Sequence, residues 1–125
     1  MNRELEQIAK DVVDASMQIH MALGPGLLES VYTVILQKKL QDRGYQVELE
    51  KPVALIFEGI EFEMGFRADL VIDDSFIVEL KSVERIAPVH AKQLLTYLRI
   101  TGFRLGLLIN LGEALLKDGI KRIAN

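Results

Sequence analysis

The chain contains no cysteine among its 125 residues. Disulfides and thiolate metal sites are therefore excluded, and the absence fits a cytoplasmic protein. No apolar run approaches the ~18 residues of a membrane-spanning helix, so no membrane association is expected. No N-terminal stretch combines a basic head, an apolar run and a small-residue cleavage site, so no secretion signal is expected. Internal repeats, low-complexity tracts and linkers are also lacking. Nor is there an excess of positive charge. The formal net charge is −3, which is unusual for a nucleic-acid binder. The charge is uneven, however. Residues 1–80 hold seven Lys or Arg against fifteen acids, a net of −8, whereas residues 81–125 hold eight against three, a net of +5. The basic C-terminal third offers a phosphate-facing surface, although ordinary solvated helix and loop charges explain it equally well.

What is present is enough apolar material for one folded domain. Hydrophobic residues make up 50% of the chain, and the length accommodates a single domain, residues 1–125, with one substantial core. Leu5, Ile8, Val12, Ala15, Ile19 and Leu23 recur at helical spacing and predict an amphipathic helix over residues 3–22. Gly24-Pro25-Gly26 breaks it. A second helix follows, striped by Leu28, Val31, Tyr32, Ile35 and Leu36, and ends near Arg43-Gly44. Tyr45–Glu50, Val53–Phe57 and Ile60–Met64 read as short strands, with a turn at Glu58-Gly59. Pro88 opens a third helix over 88–101, and Arg104–Asn110 is apolar enough for a buried central strand. A turn or short helix at 111–118 and a final edge strand at 119–123 complete the pattern. The order predicts an α/β or α+β fold with a mixed central sheet flanked by helices.

The chemistry concentrates between the second and third helices. Two further β-like segments, Phe66–Asp73 and Phe76–Lys81, carry charges inside them. A charge inside a strand is costly unless it is paired or holds a cation. Strand side chains alternate, so Arg67, Asp69, Val71 and Asp73 share one side, and Ile77, Glu79 and Lys81 share one side. A three-residue loop at Asp73-Asp74-Ser75 sets Ile72 opposite Phe76 and Asp69 opposite Glu79, with Cβ atoms about 5 Å apart. Two carboxylates that close repel unless a proton or a cation lies between them. A two-residue loop would put Asp69 opposite Leu80 instead and separate the carboxylates onto two faces, and an edge hairpin with solvated charges on its outer face is the plainer alternative. Gln93 and Tyr97 are four apart on the third helix and share a face, and both can donate to a phosphate oxygen. A half-buried helix surface with Tyr97 in the core is the plainer reading of that pair. Glu29, in the first turn of the second helix, is either a carboxylate favoured by the helix dipole or a third carboxylate for a cation. His20 and His90 carry little weight as metal ligands, since no Cys or His partner lies at ligand spacing. Arg67 is positioned to pair with a site carboxylate or a phosphate.

Asp69, then nine residues, then Glu79-Leu80-Lys81 resembles the site signature of the PD-(D/E)XK nuclease superfamily. Leu23-Gly24-Pro25-Gly26-Leu27-Leu28-Glu29-Ser30-Val31-Tyr32 resembles the naming motif of its GxxExxY family, with Gly26, Glu29 and Tyr32 at the named positions. Arg67–Leu70, Val78–Lys81, Gln93–Leu98 and Leu105–Asn110 extend the likeness over nearly the whole chain. The resemblance implies a restriction-endonuclease-like core and metal-dependent cleavage of nucleic acid, with DNA favoured over RNA. It implies Mg²⁺ or Mn²⁺ held by Asp69, Glu79, the Leu80 carbonyl and Glu29, directly or through water. Lys81 would act on the attacking water or the developing charge, and Gln93 and Tyr97 would position the phosphate backbone. The small, acidic chain leaves two other classes open: a non-catalytic nuclease-like module that binds nucleic acid or a protein partner, and a self-associating structural protein. The oligomeric state is open, a homodimer included.

Overall fold

The computed structural model describes residues 4–125. Among them, the chain order is α1 (Leu5–Leu23), α2 (Glu29–Asp42), β1 (Val47–Phe57), β2 (Ile60–Ile72), β3 (Phe76–Lys81), α3 (Pro88–Thr101), β4 (Leu105–Asn110), a 3-10 turn (Leu116–Gly119) and β5 (Ile120–Ala124). The expected start of the first helix at residue 3 lies outside the described residues. The five strands form one sheet in sequence order. β3 and β4 are parallel and the other neighbours antiparallel, so the sheet is mixed. The parallel pair requires a crossover, and α3 supplies it.

The helices divide between the two sheet faces. Ile8, Val12, Ala15 and Ile19 of α1 and Tyr32, Leu36 and Leu40 of α2 pack with Leu70, Ile72, Phe76, Val78, Leu80, Leu107 and Ile109. On the other face Leu94 and Leu98 of α3 pack with Phe66, Ala68, Val71, Ile77 and Leu108. β3 and β4 are covered on both sides, which is why their sequences lack a polar alternation. Gly106 makes the α3 packing possible: a Cβ there would stand 2.8 Å from the Ile77 carbonyl oxygen and 3.3 Å from a Leu94 methyl.

Two expectations are corrected. The apolar stripe of α2 is Tyr32, Leu36 and Leu40 rather than one that begins at Leu28, which is 72% exposed. The three short strands expected between Tyr45 and Met64 are parts of two long ones. Glu50, with φ 46°, and Pro52 interrupt the local pattern, but β1 is an edge strand and tolerates both. Its pairing to β2 carries on through Lys51 with Ala68 and Pro52 with Arg67. Only Leu70–Ile72 of β2 pair with β3. Beyond them β1 and β2 project as a two-stranded arm with exposed Ile56, Phe57, Ile60, Phe62 and Met64.

Candidate active site

The β2–β3 hairpin builds the site. Asp73 and Asp74 both adopt left-handed φ near 50°, as in the primed turns that match strand twist. The Ser75 N–H donates to the Ile72 carbonyl at 3.1 Å, and Ile72 pairs with Phe76. The loop therefore has the odd length that keeps Asp69 and Glu79 on one face. Past Leu70–Val78 the side chains replace the main-chain ladder. Asp69 Oδ2 accepts the Leu80 N–H at 2.9 Å, and Glu79 Oε2 lies 3.4 Å from the Asp69 N–H.

These groups line a recess of about 250 Å³ together with Arg67, Lys81, His90, Gln93, Leu94, Tyr97 and Leu108. The strands contribute the charges, and one stripe of α3 contributes His90, Gln93 and Tyr97, as i, i+3 and i+7 spacing requires. Tyr97 is fixed from the side by a parallel stack on Phe66, centroids 3.9 Å apart. A larger, mainly apolar groove of about 740 Å³ lies between α1 and β5, but its Glu6, Asp11 and Asp14 are engaged by Arg122 and Arg43. The smaller recess is the one in which titratable groups converge on a common space.

Glu79 is only 8% exposed, and its Oε1 has no hydrogen-bond partner among the described residues. Burial, then a hydrogen bond that the protonated carboxyl donates to the Asp69 carboxylate and the charge of that group, push its pKa up to about 9, opposed by the Asp69 N–H and, least, by Lys81. Glu79 thus holds a proton at neutral pH. Burial and the two carboxylates also raise Tyr97, which remains a phenol able to donate.

The structure brings Asp69, Glu79, Lys81, Gln93 and Tyr97 together. Glu29 is not among the residues that line this recess. It is exposed on the first turn of α2, in a separate hollow with Gly26, Leu27, Leu28, Ser30 and Ser82. The reason is the division of layers: α2 packs on the sheet face opposite α3. Among the described residues no three of His, Asp and Glu form a metal-sized cluster. The Leu80 side chain points into the α1–α2 core, while its N–H serves Asp69. His20 is used structurally, with Nε2 2.7 Å from the Glu113 carbonyl oxygen.

Two supporting roles, those of Tyr32 and Asn110, escaped the sequence reading. Tyr32, fully buried, donates to the Gly24 carbonyl at 2.6 Å and accepts the Leu27 N–H at 3.2 Å, which pins the Gly24–Leu27 loop. Ser82 then donates to the Leu27 carbonyl at 2.5 Å and ties that loop to the end of β3. Asn110, also fully buried, accepts the Val83 and Gly112 N–H groups, each at 3.0 Å, and donates to the Val83 carbonyl at 2.8 Å. It clamps the chain two residues after Lys81. The available signal was one amide at the end of the wholly apolar run Leu105–Ile109.

A profile of the PD-(D/E)XK nuclease superfamily matches residues 6–123. The chain belongs to this superfamily. Its three helices and five-stranded mixed sheet form the α+β, restriction-endonuclease-like core of such nucleases. Neither a curated protein nor a solved structure shows detectable similarity to it. Membership points to a nuclease-like function; the nucleases of this superfamily are generally divalent-metal dependent and act on nucleic acid. Among the described residues no helix is long and apolar enough to cross a membrane.

The recess fits a hard divalent cation. Asp69 and Glu79 present oxygen donors on one side, and the orphaned Glu79 Oε1 is a buried acceptor with no protein donor. Mg²⁺ takes one or two carboxylates and keeps waters, so two carboxylates suffice.

Proposed function

We infer that this protein is a metal-dependent nuclease of the GxxExxY group, cytoplasmic, that hydrolyses phosphodiester bonds with DNA favoured over RNA. The observation that carries the reading is the buried Glu79 oxygen without a partner beside Asp69. Burial of a carboxyl in that state is unfavourable, and a structural ion pair would have given it a donor. Asp69 and Glu79 would hold Mg²⁺ or Mn²⁺ with the Leu80 carbonyl, and Glu29 would act at most through water from its neighbouring hollow. When bound, the cation supplies Lewis-acid polarisation of the phosphate and a bound water of lowered pKa. Lys81 lines the same recess and is placed to orient the attacking water or to stabilise charge that develops on the phosphate. Gln93 and the protonated Tyr97 donate to phosphate oxygens. Glu79 must lose its proton before it serves as a ligand, so cation binding and proton release are coupled.

The test is a cleavage screen of single-stranded, double-stranded and flap DNA and of RNA with each metal. Metal-dependent product is expected, and Lys81→Ala should abolish it while metal binding survives. Saturable binding with no product on any substrate would replace this reading with a non-catalytic binding module.

A further inference from the structure

We propose that His90 is a substrate-positioning residue of this site, its Nδ1–H donating to a non-bridging oxygen of the phosphodiester. The assignment rests on the nuclease reading and adds a contact to it. His90 is in the first turn of α3, and its ring lines the recess in one stripe with Gln93 and Tyr97. Its Nδ1 is buried and has no hydrogen-bond partner among the described residues. A ring nitrogen held away from water without a partner is unfavourable. Apart from the Glu79 oxygen it is the other orphaned polar atom on residues of this recess.

His90 does not join the carboxylate pair as a cation ligand. With Asp69 and Glu79 within ligand range, His90 would complete a three-group cluster, and no such cluster exists among the described residues. The ring therefore serves the substrate rather than the cation. Its surroundings suit an anion. Arg67 and Lys81 line the same space. α3 begins with Pro88, has no side-chain cap, and carries no acidic residue in its first turn, so the positive end of the helix is left uncompensated.

The test compares binding of a short single-stranded oligodeoxynucleotide, followed by fluorescence anisotropy with Ca²⁺ in place of Mg²⁺. His90→Ala should weaken binding about ten- to hundredfold, as for a hydrogen bond to a charged group. His90→Asn should restore much of it, since its amide nitrogen falls near the Nδ1 position. His90→Gln places its amide near Nε2 and should not. Imidazole ¹⁵N signals of the wild type report the contact directly, even where a variant fails to fold, and should move at His90 when oligonucleotide is added. Unchanged binding by a folded His90→Ala, equal rescue by Gln and Asn, or a still His90 signal at saturating oligonucleotide overturns the proposal. The last of these is the result expected if a buried water serves Nδ1. A wild type that moves the His90 signal but cuts nothing supports the contact and removes only the nuclease reading. A wild type that cuts while His90→Ala binds equally well removes only the contact.

Discussion

Replacement of Glu79 by Gln should make the metal-free protein more stable at neutral pH, and the gain should grow with pH. The Glu79 carboxyl titrates near 9 in the folded state against 4.5 for the unperturbed group. Between those values the native state holds a proton that the unfolded state releases. Stability therefore falls as pH rises through that window, by about 1.4 kcal/mol per unit for this one group. From pH 4.5 to pH 7 the loss is on the order of 3 kcal/mol, without a solvent-screening discount because the carboxyl is buried. Gln has the same shape and no proton to lose, so Glu79→Gln removes this slope. The readout is the difference in unfolding free energy between the two proteins, from urea titrations in EDTA at several pH values between 5 and 8. That difference cancels the titrating groups that do not interact with Glu79 and any fixed penalty of the amide in the recess. It should move in favour of the variant at each step. A difference that stays flat, or that moves in favour of the wild type, would refute the assignment of Glu79 as a buried protonated acid and make it a structural ion-pair partner.

Binding of Mg²⁺ should release close to one proton at pH 7 and tighten as pH rises towards 9, because the cation displaces the Glu79 proton; calorimetry in two buffers of different ionisation enthalpy measures the number, and no buffer dependence would count against Glu79 as ligand. Asn110→Ala should lower stability by about 1–3 kcal/mol by leaving the buried main-chain groups of Val83 and Gly112 without partners; urea unfolding checks this, and an unchanged midpoint would mean that water replaces the amide. Tyr32→Phe should cost about 1 kcal/mol and loosen the Gly24–Leu27 loop, which amide exchange at Leu27 reads directly. Phe57→Ser, on the exposed arm, should leave stability within about 0.5 kcal/mol and reduce any concentration-dependent association seen by light scattering.

The sequence by itself determined most of the architecture, because local patterns dominate where one face is buried. Helical spacing located α1 and α3, the apolar run Arg104–Asn110 read as a central strand, and Gly24-Pro25-Gly26 marked a break that the chain makes. Alternation sets Asp69 and Glu79 on one face provided that the loop between their strands is odd in length, and the pairing of Ile72 with Phe76 decided that. Period-two geometry leaves no other outcome once Ile72 pairs with Phe76. The tertiary structure alone decided which helix covers which face. Glu29 and Gln93 sit on helices of similar length and mixed polarity, and nothing in either helix states that α2 lies on the far face from Asp69 while α3 lies on the near one. That is a property of how three helices share two faces of one sheet. It also decided that His90 joins the recess, that Leu28 is exposed, and that Glu79 is buried deeply enough to keep its proton. Burial and pKa depend on every neighbour brought together by folding, and no local spacing encodes them.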